Sequence, residues 1–289
     1  MSGSVSSNGG SPGFEVMQAP IGPAATVELV AAVCAAGALG SLASSWTRTE
    51  VLREQVRSLA GHRFCVNLVL AFPQEDRLDV LCEEHVPVIS FSWGIRTDLV
   101  ARAHEAGAEV LIQVGSAAAA HMAVDAGADL VMVQGIEAGG HVEGERPLVE
   151  LLGQVGGLGV PVVAAGGIAD AARARAARDA GADAVAAGTA FLVAEEADRH
   201  PGYVERLLAA DEAVLTDVFS IGWPNAKHRV LANAALADGV PAADAMPTGT
   251  RGGDPDRMAL YAGTGVRALR RVEPAASIVE RLTLEPCGP

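Results

Sequence analysis

The residues best suited to chemistry sit in short polar breaks behind apolar runs. His141 closes the loop Glu137-Ala138-Gly139-Gly140-His141. An imidazole exchanges its proton near neutral pH, so His141 can act as a general base or as a hydrogen-bond donor to a substrate anion. Two glycine-rich breaks, Gly166-Gly167 and Gly188-Thr189, offer backbone N–H groups with no side chain in the way. Such loops bind phosphate, unless the glycines simply turn the chain. Asn67, Gln113 and Gln134 end otherwise apolar runs. A primary amide there presents donors and an acceptor to the edge of a planar heterocycle such as an isoalloxazine, or else caps and braces a loop. His62, His85, His104, His121 and His200 fall on helical patterns or turns and are read as residues without chemistry.

Eight short apolar runs must carry these breaks, at 16–20, 38–42, 64–68, 86–90, 109–114, 129–134, 160–164 and 184–187. Helical patterns lie between most of them, at 27–36, 48–59, 75–84, 99–106, 117–126, 148–155 and 171–180. One phrase marks the joints: Ala106-Gly107-Ala108, Ala126-Gly127-Ala128 and Ala180-Gly181-Ala182, with a degenerate copy at Ala36-Gly37-Ala38. A glycine just past a helix takes the left-handed cap at no steric cost before the chain enters a buried strand. Strand–helix alternation argues for parallel β-structure, and a count of eight argues for closure. The fold class is therefore α/β, a (β/α)8 TIM barrel with a small helical extension after the eighth strand; an open doubly wound sheet is the alternative. Residues 1–13 read as a disordered leader, 14–195 as the barrel, 196–262 as the extension near the active-site mouth, and about 263–285 as a helix returning to the barrel.

Composition excludes several classes. The chain has 289 residues, half of them hydrophobic, with 33 glycines and only 4% aromatics. Aliphatic packing of strands against helices suits that balance. With 21 Lys and Arg against 35 Asp and Glu, the net charge of −14 disfavours nucleic acid. The longest apolar stretch, 24–43, is broken by Glu28, Gly37 and Gly40, so no membrane span is expected. Cys34, Cys65, Cys82 and Cys287 form no C-x-x-C, which points to a reduced, cytoplasmic setting without structural metal. His141-Val142-Glu143 mimics the H-x-E of zinc deaminases, yet no P-C-x-x-C follows. H-E-x-x-H, the Walker loop and the nucleophile elbow are absent, as is a G-x-G-x-x-G after the first run.

Five segments together resemble the nitronate monooxygenase family of FMN-dependent (β/α)8-barrel enzymes: Met17-Gln18-Ala19-Pro20-Ile21, Phe64-Cys65-Val66-Asn67-Leu68, Gln134-Gly135-Ile136-Glu137-Ala138-Gly139-Gly140-His141, Ala164-Ala165-Gly166-Gly167-Ile168 and Gly188-Thr189-Ala190-Phe191-Leu192. The Q-G-x-E-A-G-G-H string is the most specific of them. The resemblance implies FMN as cofactor, with Ala19, Pro20 and Ile21 beside the flavin ring and Asn67, Gln113 and Gln134 on its polar edges. It also implies Gly139 and Gly140 near the ring or ribityl chain, Gly166, Gly167, Ala187, Gly188 and Thr189 around the phosphate, and His141 as the catalytic histidine.

The chemistry so implied is oxidation of an alkyl nitronate such as propionate 3-nitronate by molecular oxygen, giving a carbonyl product and nitrite or nitrate. An FMN-dependent enoyl-acyl-carrier-protein reductase or an NADH:quinone reductase on the same barrel is the alternative. Ile21 stands where relatives often carry Met, and the loop after His141 is short and reaches Pro147 where many relatives have a hydroxyl residue. The segment Gly222-Trp223-Pro224-Asn225-Ala226-Lys227-His228-Arg229 resembles part of the extension in some relatives and offers Trp223 and Arg229 as substrate-side candidates, against ordinary packing.

Overall fold

A computed structural model of the chain describes residues 11–283 apart from 221, 224, 225, 242–245 and 251. Strands and helices alternate as β1 (Val16–Gln18), α1 (Val27–Ala35), β2 (Ser41–Ala43), α2 (Thr49–Ser58), β3 (Cys65–Val69), α3 (Glu75–Glu83), β4 (Val88–Ser92), α4 (Thr97–Glu105), β5 (Glu109–Val114), α5 (Ala117–Asp125) and β6 (Leu130–Gln134). After a short strand β7 (Gly140–Val142) come α6 (Leu148–Gln154), β8 (Val162–Ala165), α7 (Ala171–Asp179) and β9 (Ala184–Ala187). Eight strands form one parallel sheet in the order β1-β9-β8-β6-β5-β4-β3-β2. Its two ends meet: Met17 bridges Leu39 in parallel, with Gln18 N donating to Leu39 O and Leu39 N to Val16 O, both at 2.9 Å. This is the expected barrel. The second strand begins later than its apolar run because Gly40 lies against helix α1, where a Cβ would stand 2.6 Å from Val30 O.

The αβ joints have the conformation their glycines predict, with φ of +81° at Gly37, +85° at Gly107, +98° at Gly127 and +105° at Gly181. Thr26, Ser116 and Asp170 accept from the N–H three residues on, capping α1, α5 and α7. Two apolar shells result. One lies between strands and helices, and the other fills the barrel with Met17, Leu39, Cys65, Val88, Leu111, Leu130, Met132, Val163 and Ala184. Strand side chains repeat every second residue, so the inward positions above Cys65, Val88, Leu111 and Met132 are Asn67, Ser90, Gln113 and Gln134. The barrel interior thus turns from hydrocarbon to neutral polar groups at the C-terminal ends of its strands.

The segment after β9 carries α8 (Pro201–Ala209), β10 (Val214–Thr216), β11 (Lys227–Val230) and α9 (Ala234–Asp238), followed by α10 (Ala275–Leu282) on the barrel. The extension is therefore mixed rather than purely helical. Its strands join β7 in an antiparallel sheet of order β10-β11-β7. Lys-His-Arg-Val is too short and too charged to announce a strand alone; pairing with the β6–α6 loop creates it. Among the described residues no helix is long and apolar enough to cross a membrane. Cys34, Cys65 and Cys82 are free thiols, whereas Cys287, most of the expected leader and the last residues of the expected C-terminal helix lie outside the described residues.

Candidate active site

The loop from Gln134 to Gly144 is braced residue by residue. The Gln134 amide oxygen accepts from Glu143 N at 2.7 Å and Gly144 N at 3.4 Å, and its Nε2 donates to His141 O at 3.3 Å. These hydrogen bonds realise the loop-bracing expectation for Gln134. Glu137 accepts from Leu148 N at 3.2 and 3.0 Å, capping α6, where Pro147 at the cap position supplies no side-chain hydrogen bond. At Gly139 a Cβ would lie 2.4 Å from Gly263 N, so the close neighbour that demands glycine is the backbone at 262–263. Gly140, at φ +70°, faces open space and turns the chain into β7. The motif's specificity therefore has a local cause: most of its positions hold the loop in shape and deliver His141 at its end.

The loops behind β8 and β9 supply the glycine breaks. Gly166 and Gly167 adopt φ of +130° and +68°. Arg173 Nη1 donates to Gly167 O at 2.9 Å and to Thr264 Oγ1 at 3.0 Å, which sets a guanidinium beside this loop. Ala19 N donates to Ala187 O at 2.9 Å, and a Cβ on Gly188 would meet Ile21 Cγ2 at 3.2 Å and Ala19 Cβ at 3.8 Å. The ends of β1 and β9 thus bring Ala19, Ile21, Ala187 and Gly188 together, with half-buried Pro20 between the first two. The Thr189 hydroxyl accepts from Gly263 N at 2.8 Å. Neither Arg173 nor the 262–265 segment stood out in the sequence; the Gly263-Thr264-Gly265 triplet is the signal that could have found the latter.

Asn67 Nδ2 donates to Ser90 Oγ at 3.2 Å and Ser92 Oγ at 3.4 Å, linking β3 to β4. Gln113 hydrogen-bonds Glu143, whose carboxyl burial pushes up to about 7 while that hydrogen bond pulls the other way. Glu143 Oε2 is buried without a hydrogen-bond partner among the described residues.

His141 lies between two regions. Antiparallel register sets it opposite His228 of β11, and the two Nε2 atoms are 2.8 Å apart. His228 is fully buried, its Nδ1 lies 3.4 Å from Ser220 Oγ, and its ring stacks on Tyr261 at an interplanar angle of 13°. On another side the Trp223 indole lies over His141 with centroids 4.3 Å apart. Trp93, Phe72 and Trp46 continue from Trp223 as an aromatic wall, with centroid separations of 4.6 Å from Trp93 to Trp223, 5.3 Å from Phe72 to Trp223 and 5.8 Å from Trp46 to Phe72. The loops behind β2, β3 and β4 supply these rings, so all three tryptophans of an aromatic-poor chain join one cluster, of which Trp93 and Trp223 touch His141. Trp93 holds its place at φ +57°, a conformation costly for a bulky residue.

Arg229 does not share this side. It follows His228 on the strand and therefore points to the opposite face, where Nη2 donates to Ile136 O at 2.8 Å and Nη1 to Ala213 O at 3.2 Å. The expected substrate-side position is replaced by a brace on the Gln134–His141 loop. His228, Trp93, Phe72 and Trp46 were not singled out by sequence. A second histidine in the same segment as Trp223 was the available signal, and only the β7–β11 register gives it meaning.

Comparisons with known proteins bear on the family and the fold. The family model described as nitronate monooxygenase matches residues 59–285. A Mycobacterium tuberculosis protein named (3aS,4S,5R,7aS)-5-hydroxy-7a-methyl-1-oxo-octahydro-1H-indene-4-carboxyl-CoA dehydrogenase is 37% identical over 225 residues; the match spans 75% of this chain and 62% of that relative's length. The nitronate monooxygenase of Pseudomonas aeruginosa is 34% identical, with 93% of this chain and 95% of the relative covered. Among solved structures, nitroalkane oxidase from Streptomyces ansochromogenes superposes with a TM-score of 0.82 at 31% identity, covering 94% of this chain and 95% of that one. FabK from Thermotoga maritima gives 0.81 at 30% identity, with 93% and 91% covered. The chain belongs to the nitronate monooxygenase family.

Proposed function

We propose that the protein oxidises an alkyl nitronate with molecular oxygen, releasing a carbonyl product and nitrite or nitrate, with FMN as cofactor. The observation that carries this reading is the placement of His141 between a glycine-lined cradle and an aromatic wall, in a chain of this family. The residues fit a flavin. Gly188 leaves only hydrogen between the backbone and the Ala19–Ile21 turn, Gly140 opens onto free space, and the inner floor carries uncharged amides and hydroxyls. In this reading Ala19, Pro20, Ile21 and Gly140 border the ring system, while Asn67 and Gln113 offer polar groups below it. Gly139, through its backbone, and Gln134, through its loop, hold that border in shape. Gly166, Gly167, Ala187, Gly188 and Thr189 surround the phosphate, and Arg173 supplies positive charge nearby. Bound there, FMN would take electrons from the substrate and pass them to oxygen.

His141 hydrogen-bonds the nitronate oxygens. Trp223 and Trp93 cover the carbon side, keeping water from the reacting carbon and favouring an apolar substituent there. The small molecule enters from the strand-end face of the barrel, as in other enzymes of this architecture.

The deciding experiment is anaerobic mixing of flavin-loaded protein with propionate 3-nitronate and, separately, with NADH. Rapid bleaching of the flavin by the nitronate, followed by oxygen consumption once air is admitted, is expected. The likeness to FabK keeps an enoyl-acyl-carrier-protein reductase as a second reading. Bleaching by NADH with none by the nitronate would overturn the nitronate reading in favour of an NADH-dependent reductase.

A further inference from the structure

We propose that the aromatic wall is a subsite for an aryl group, so that the substrate is a nitronate whose carbon skeleton ends in an aromatic ring lying against Trp223, Phe72 and Trp46. The aryl preference stands on ring contacts alone; that the reacting end is a nitronate rests on the reading above.

The wall is continuous and opens outward. From His141 the first step is the Trp223 indole, with centroids 4.3 Å apart, and the second is Trp46, whose centroid lies 6.4 Å from that of Trp223. Exposure rises along the same line: Trp223 is buried, Phe72 and Trp93 are half-buried, and Trp46 is 64% exposed. Single exposed apolar residues are ordinary on a protein surface, but an indole left this open at the end of an aromatic row leading to a reactive histidine is surface for a ligand to cover. A nitronate of two or three carbons held at His141 ends beside Trp223 and leaves the outer rings bare.

Ring geometry selects the chemistry of the occupant. Trp46 meets Phe72 at 62° and Trp223 at 58°, Phe72 meets Trp223 at 81°, and Trp93 meets Trp223 at 62°. Each of these contacts is edge-to-face or tilted, so none of the four rings stacks its face on another. An aromatic face is electron-rich and an aromatic edge electron-poor, and a further ring joins such a set with its edge on a face or its face on an edge. A saturated ring of similar size has no such quadrupole and gains only from the area it buries.

The chain holds these rings in advance. Thr47 N donates to Ser44 O at 3.0 Å, and Arg77 Nε donates to Thr47 O at 2.9 Å, which ties the turn carrying Trp46 to α3. Val69 and Ala226 pack with Trp223, and Phe72 and Trp93 lie against that cluster. Rings already fixed lose little side-chain freedom when a ligand arrives, so more of the contact energy appears as affinity. A second copy of the chain is the other occupant an exposed indole could take; the unbroken row from Trp46 to His141 favours the substrate.

Calorimetric titration of flavin-loaded protein with three unreactive carboxylates that copy the shapes of nitronates tests the subsite: propanoate, 3-phenylpropanoate and 3-cyclohexylpropanoate. The phenyl compound should bind about tenfold tighter than propanoate, and about three- to tenfold tighter than the cyclohexyl compound. The second comparison is the stringent one, because cyclohexyl is at least as apolar and a merely greasy surface would prefer it. Trp46→Ala should bring the phenyl-to-cyclohexyl ratio close to one, and Trp46→Phe should keep it. Failure of 3-phenylpropanoate to bind, equal affinity for the two rings, or a preference that survives Trp46→Ala would each overturn the aryl subsite. A wild-type dimer that dissociates in Trp46→Ala with its affinity ratio unchanged, read by light scattering, would give this face to a second copy instead. With substrates, Trp46→Ala should lower the ratio of kcat/KM for 2-phenylethyl nitronate over ethyl nitronate by about three- to tenfold, whereas equal losses on both would count against a subsite. If neither nitronate reduces the flavin, the nitronate reading falls while the titrations still decide the aryl preference.

Discussion

The two halves of the barrel mouth are built on opposite rules. Behind β6, β8 and β9 the chain uses glycine, positive φ and close approaches: a Cβ at Gly139 would meet backbone, and one at Gly167, at φ +68°, would meet the Thr264, Arg173 and Glu137 side chains. Behind β2, β3 and β4 it uses large rings, which touch one another or Trp223 of the extension at centroid distances of 4.6 to 6.4 Å and belong to loops rather than to strands. An aromatic pair contributes ~0.5–1.5 kcal/mol beyond its buried area and tolerates small shifts. A misplaced Cβ against backbone tolerates none. The glycine half suits a ligand that never changes, and the aromatic half one whose carbon skeleton can vary.

Four substitutions test that division. Gly167→Val should have the largest effect, because its Cβ would lie 2.6 Å from Thr264 Oγ1 at a φ of +68°. The purified variant is expected to lack flavin absorbance, and a normally yellow protein would remove these loops from the phosphate site. Next, His141→Asn should keep its flavin and lose turnover of a neutral nitroalkane by ~10²–10⁴. Loss of flavin from that variant would mean that the histidine belongs to the cradle rather than to the boundary between halves.

Glu143→Gln probes the floor beneath the boundary. Burial raises the Glu143 carboxyl to about 7, so the folded state binds a proton that the unfolded chain has already released above the ordinary glutamate range. Stability should be fullest below that range, decline as pH rises toward 7 by roughly 1–3 kcal/mol, and level off above it. Urea unfolding at pH 5 and pH 8 should reveal this slope in wild type and a flatter one in Glu143→Gln; identical slopes would mean that the carboxyl is solvated. The smallest change in stability is expected for Trp93→Gly. Relief of φ +57° offsets the lost ring contacts to within about 1 kcal/mol, while KM for a bulky nitronate should rise about three- to tenfold with flavin content unchanged. A large fall in melting temperature would show that Trp93 is packing, not specificity.

The sequence was most informative where structure is local. The Ala-Gly-Ala joints specify their left-handed caps within three residues, and each apolar run needs only its neighbours to become a barrel strand. His141, Gly166-Gly167 and Gly188-Thr189 were legible for the same reason, because their types and their places behind strands follow from nearby sequence. What escaped depends on chain segments meeting from far apart. His228 comes to face His141 only through a strand pairing 87 residues distant, and Arg229 points away from the site because of that same pairing. The bracing role of Gln134 appears only once the short turn back to Glu143 brings that N–H to its amide oxygen. The aromatic wall draws single residues from four loops, so no window of sequence contains it.

The close packing of residues 262–265 against Gly139 and Gly167 bears on the order of events during synthesis. The two glycine loops are translated well before the segment that backs them, and domains acquire structure as the chain emerges from its amino end. Neither loop has its final wall until Gly263 and Thr264 arrive, so if the two loops hold a flavin phosphate as proposed, its tight uptake would be a late event that waits for nearly the whole polypeptide. A nascent or prematurely ended chain could already have every barrel strand and still be colourless.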